Sequence, residues 1–232
     1  MLLLAGALVS PADTTTWDGT AGLWSDGAKW SAGLPLDGDA AVITNGSVLL
    51  ASNTAILSSF TMGGGTLMFT NWTTKLTATN AVINAGTITL PPAFTGSQMS
   101  NRVWIVCSNS FTLNTNAIID ANTNGYRRGH GPGTGIVSTV NSAFCGGAGH
   151  GGKGGWGIQS AFSGIPYDSV SAPLMPGSGG ADSPGNPENA GNGGGAVRIE
   201  AGGTVLIYGT IQADGGRSLM MGFPFCGGGG SG

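Results

Sequence analysis

Short runs rich in Val, Ile, Leu, Thr and Phe recur along the first half of the chain, separated by Asn and Gly. They are Ala41 to Thr44, Ser47 to Leu50, Ala55 to Met62, Thr66 to Thr70, Lys75 to Thr77, Ala81 to Ile83, Thr87 to Leu90, Val103 to Cys107 and Phe111 to Leu113. Runs of this length, spaced by about 8 to 12 residues with turn formers between them, are strand signals, and no helical period of useful length competes with them. The pattern predicts an all-β protein. A sandwich, a barrel and a solenoid share it, so an internal repeat has to discriminate. Val103-Trp104-Ile105 resembles Val197-Arg198-Ile199, and Ser110-Phe111-Thr112-Leu113 resembles Thr204-Val205-Leu206-Ile207, both at an offset of 94. Ile119-Asp120-Ala121-Asn122 resembles Ile211-Gln212-Ala213-Asp214 at an offset of 92. A unit repeating as strand, turn, strand predicts a right-handed parallel β-helix, a β-solenoid whose alternating apolar residues face a narrow shared core.

Composition changes the picture along the chain. Of 45 glycines, 12 lie in residues 1–124 and 33 in residues 125–232. The expected organisation is a signal-peptide remnant over 1–12, an N-terminal cap over 13–40, coils over 41–124 and a glycine-rich insertion over 125–195. A further coil over 196–216 and the start of a second glycine-rich segment over 217–232 complete it. The leader reading rests on the apolar run Met1 to Val9 followed by the small residues Ser10 and Ala12, and it implies export. That run is too short for a membrane span.

Charged residues make up only 8% of the chain and the net charge is −3, with 40% hydrophobic positions. Charge-driven disorder and a nucleic-acid partner are thereby excluded as main readings. Glycine lacks the strict three-residue period of collagen. The carboxylates are scattered, without the pair that flanks a scissile glycosidic bond. Cys145, His150 and His130 lack zinc-ligand spacing, and no cofactor is expected. Cys145 and Cys226 share a Phe-Cys-Gly-Gly context, which equivalent positions in two repeats would explain, and they are a candidate disulfide.

Two segments carry a resemblance. Trp17-Asp18-Gly19, Trp24, Trp30, Gly33-Leu34-Pro35 and Asp39-Ala40-Ala41-Val42-Ile43 resemble the opening of large secreted or surface β-helix proteins of bacteria, including autotransporter-passenger-like and adhesin-like ones. Cys145 to Gly155, Pro176 to Gly180 and Gly193 to Ile199 resemble the glycine-rich insertions of the same group. The resemblance implies an architecture far more than an activity. Physically, the three tryptophans suit the covering of an open apolar end, and a sugar-stacking aromatic platform is the rival reading.

Within the insertion, His150, Lys153 and Trp156 follow one another at a spacing of three, with glycines between. Three is the period of a polyproline II helix, so a polyglycine II segment would align them on one edge, roughly 9 Å apart at about 3.1 Å per residue. Flexible linker is the alternative for such a composition. His150, Lys153, Trp156 and Tyr167 are the candidate ligand-binding residues. The expected function is a non-catalytic extracellular or cell-surface structural or adhesin-type segment, contacting carbohydrate or another surface. A polysaccharide-degrading β-helix enzyme, a lyase or glycoside hydrolase, is the alternative; a pure scaffold without ligand is the second.

Overall fold

The computed structural model describes residues 12–137, 145–155, 162–182, 189–218, 230 and 232. Among the described residues eleven strands form one sheet in which every strand pairing is parallel. In chain order they are β1 (Thr14–Thr16), β2 (Ala21–Leu23), β3 (Ala40–Ile43), β4 (Ser47–Leu50), β5 (Ile56–Met62) and β6 (Thr66–Phe69). There follow β7 (Leu76–Thr89), β8 (Arg102–Asp120), β9 (Ala196–Ala201), β10 (Val205–Ile207) and β11 (Thr210–Gln212). The 3-10 turn Gly27–Lys29 is capped by the Asp26 carboxylate, which accepts from the Ala28 amide.

The all-β class holds, but the expected right-handed parallel β-helix is corrected: the strands curl as one continuous sheet into a half-barrel. The difference lies in β7 and β8. Runs that read as separate short strands, Lys75 to Thr77, Ala81 to Ile83 and Thr87 to Leu90, fuse into the 14 residues of β7. Val103 to Cys107 and Phe111 to Leu113 likewise fuse into the 19 residues of β8. Register shifts between Ala78 and Asn80 and between Ile83 and Ala85 let these long strands bend without ending. Each therefore joins the row of β5 to the row of β6, so the sheet curves without dividing into separate faces.

Parallel pairing in register stacks like positions and builds the core on the inner side. Ile43, Met62, Ile83 and Leu113 form one column, and Val48, Leu67, Ile88 and Ile119 another. A third runs Ala41, Phe60, Ala81, Phe111, alternating small and large, so each ring fills the space its alanine neighbours leave. All of these side chains are buried. Removing each large one from water is worth about 1.5–3 kcal/mol. Outside, asparagines stack in the same register: Asn109 and Ser110 donate to Asn80, and Asn114 donates to Asn84.

The turns are stacked as well. Gly46, Gly65 and Gly86 occupy successive corners at φ of 86°, 79° and 97°, where an L side chain is strained. At one end of the sheet, Trp17, Trp24 and Trp30 interlock edge to face with centroids 5.2 and 4.8 Å apart, and Trp24 leans on Phe60 at 6.0 Å. All three rings are buried, so they cannot serve as a platform for a sugar.

The glycine-rich residues that are described form an irregular layer beside the sheet, held by main-chain hydrogen bonds between segments distant in sequence. Gly125 donates to Gly193, Gly193 to Tyr126, Tyr126 to Gly177 and Gly177 to Gly194, over 2.7–2.9 Å. Further out, Gly149 donates to Gly133 and Gly154 to Gly164, while Gly195 ties the layer to the sheet through Ala121. Gly193 shows why side chains are absent: a Cβ there would overlap the Gly177 carbonyl. The leader (all but Ala12), Trp156 and Cys226 lie outside the described residues.

Candidate functional site

A cavity of about 450 Å³ opens where the free edge of the sheet meets the glycine layer. Arg102, Ala196 and Arg198 line one side, His150 the second, and the loop from Ser169 to Met175 the third. Arg102 opens β8, and its position is set by Asn101. The buried Asn101 amide nitrogen lies 2.9, 2.9 and 2.7 Å from the carbonyls of Pro91, Pro92 and Asn124. Period-two alternation then sends Val103 and Ile105 into the core and Arg102 and Trp104 to the other face.

On that face the cations gather around tryptophan. The Arg102 guanidinium carbon sits 4.0 Å from the Trp104 ring centroid and 4.3 Å from that of Trp72. Arg198, paired across the sheet with Trp104, lies 5.0 Å from the same ring, and Lys75 lies 4.5 Å from it. Glu200 accepts from Trp104 Nε1 at 2.9 Å and forms an ion pair with Arg198. Burial, and next the nearby charge of Arg198, lower the Arg102 pKa, and Glu200 opposes them.

His150 is fixed from two sides. Its ring stacks on Tyr167, with centroids 4.8 Å apart, and Tyr167 in turn donates its hydroxyl to the Pro176 carbonyl at 2.6 Å. His150 Nδ1 donates to the Gly232 carbonyl at 2.8 Å, and Nε2 faces Asp168 Oδ2 at 3.5 Å. Asp168 itself accepts from the amides of Ser169, Leu174 and Met175. Burial alone would raise its pKa, but those amides and His150 outweigh it and hold the carboxyl below the usual range.

Of the residues expected from the sequence, the structure brings His150 and Tyr167 together and leaves Lys153 apart. The chain bends at residues 150–152, with the His150 amide donating to the Gly152 carbonyl at 3.1 Å. His150 and the exposed Lys153 thus share no straight edge. Cys145 forms an antiparallel bridge with Val137, and its proposed partner Cys226 is outside the described residues. Among the described residues no three of His, Cys, Asp and Glu come together as metal ligands. Arg102, Trp104 and Arg198 were not among the expected site residues. Their signal was in the repeat itself, where Trp104 and Arg198 are the outward middle positions of two matched strands in a chain poor in charge.

Comparison with protein-family models, with curated proteins and with solved structures finds no match to this chain. Among the described residues no helix is long and apolar enough to cross a membrane.

Proposed function

We propose that the protein is a non-catalytic extracellular or cell-surface module of structural or adhesin type, and that it contacts carbohydrate through the cavity at the sheet edge. The observation that carries this reading is the cavity itself, a concave site with an apolar wall, the His150 ring, backed by Tyr167, in its lining and two arginines on one side. Small-molecule sites have this form: mostly apolar lining with a few fixed polar groups. The leader-like opening of the sequence supports export.

Polysaccharide cleavage is the weaker reading because the carboxylate that faces His150 is occupied. Asp168 is committed to three main-chain amides and held ionised, which suits a structural anchor and not a proton donor. The Cys107 thiol is no nucleophile either, since burial pushes it up to about 11.

A glycan array probed with the wild type, His150→Ala and Lys153→Ala tests the proposal. The wild type is expected to bind, His150→Ala to lose roughly tenfold or more of the affinity, and Lys153→Ala to bind like the wild type. Equal binding by wild type and His150→Ala, or no binding by the wild type, would remove it.

A further inference from the structure

Among the described residues Arg102 is a cation without a counterion of its own. The residue is only 6% exposed, it lines the cavity, and its buried Nε has no hydrogen-bond partner among the described residues. Buried charges are normally paired or hydrogen-bonded. The two tryptophan rings supply cation–π attraction, but a ring face does not accept the in-plane N–H groups of a guanidinium. Glu200, the nearby carboxylate, is engaged through Oε1 by Arg198 and by Trp104 Nε1, and among the described residues it makes no ion pair with Arg102. A desolvated guanidinium close to two rings, with a buried Nε that has no acceptor among the described residues and a cavity beside it, is organised to receive an acceptor from outside.

We infer that Arg102, assisted by Arg198, is the anchor of an anion subsite that takes the carboxylate of an acidic sugar of the hexuronate class. This rests on the carbohydrate reading and names its substrate class. A planar carboxylate matches the guanidinium fork with two parallel N–H···O bonds. Across the cavity, Val170, Pro173 and Leu174 provide an apolar wall for the C–H face of the sugar ring, and His150 closes the third side. The volume of about 450 Å³ falls within the range of small-molecule sites.

The test is calorimetric titration of the full chain with D-glucuronate, D-glucose and inorganic phosphate, repeated with Arg102→Met and Arg198→Gln. Trp72 and Trp104 fluorescence gives a second readout, because a ligand on Arg102 changes the surroundings of both rings. Glucuronate is expected to bind the wild type at least about tenfold tighter than glucose or phosphate, and Arg102→Met to lose roughly tenfold or more. Arg198→Gln is expected to weaken glucuronate by a smaller factor. It keeps the test decisive if thermal unfolding shows that Arg102→Met does not fold, since the Arg198 side chain is 40% exposed. Glucose binding as tightly as glucuronate would overturn the anion subsite while leaving the carbohydrate reading standing. Phosphate matching glucuronate, with glucose silent, would overturn the saccharide and the carbohydrate reading together. Glucuronate affinity unchanged in the folded variants, or no binding of glucuronate to the wild type, would overturn the assignment to Arg102.

Discussion

Asp168 holds the wall of the cavity in place through hydrogen bonds to its own loop. It sits at φ 62°, a left-handed backbone conformation that Asp and Asn tolerate better than most residues. From there its carboxylate gathers the amides of Ser169, Leu174 and Met175 and faces His150. Because its pKa is lowered in the folded state, the unfolded chain takes up the proton first as the pH falls. Its stabilising contribution is therefore complete above the unfolded carboxyl value of about 4 and disappears as pH falls through the lower folded value. Asp168→Asn keeps the size and the tolerance for this backbone while removing the charge. It is expected to lose about 1–3 kcal/mol in urea unfolding at pH 7, with the gap to wild type narrowing below pH about 4. A gap that stays constant down to pH about 2 would mean that the charge is not what holds the loop. At this scale the sequence was only partly readable. The burial of Trp17, Trp24 and Trp30 fits the reading of three rings covering an apolar end and removes the rival sugar platform, whereas Asp168 stood alone among serines and declared nothing, because its partners include main-chain groups.

Among the elements, strands and glycine segments are specified by opposite means. The strands were legible because β-branched and aromatic residues alternate, and the three repeat blocks pair in register: Trp104 with Arg198, Leu113 with Ile207 and Ile119 with Ile211. Their ends were not legible, since Asn84 and Gly86 read as breaks yet lie inside β7, where a register shift absorbs them. The glycine segments, in contrast, owe their packing to missing atoms. Gly193→Ala places a Cβ against the Gly177 carbonyl and is expected to cost at least about 1–3 kcal/mol, as overpacking does. Gly152→Ala, with open space around the added atom, is expected to stay within about 0.5 kcal/mol of the wild type. Chemical denaturation of the two variants side by side checks this, and equal losses would contradict a close-packed glycine layer. The period-three spacing of His150 and Lys153 suggested a straight edge, but the bend at 150–152 separates them.

For the whole molecule, the consequence of an open half-barrel is an edge. Val205, Leu206, Ile207, Tyr208 and Ile211, on and between β10 and β11, are all exposed, and apolar strand edges of this kind invite pairing between chains. Leu206→Lys is expected to lower concentration-dependent light scattering without changing the unfolding midpoint; unchanged scattering would show that this edge does not drive association. The sequence by itself determined the all-β class, the parallel register of the repeat blocks and the division into a strand-rich and a glycine-rich half, because alternation, repetition and composition are local or pairwise properties. Only the tertiary structure decided how the sheet curls and what meets at its edge. Curvature accumulates from bends inside β7 and β8 that no short window of residues encodes. The cavity depends on Arg102, His150, Arg198 and the loop that Asp168 anchors being brought together from four separate segments by main-chain hydrogen bonds, which no pattern of side chains reveals.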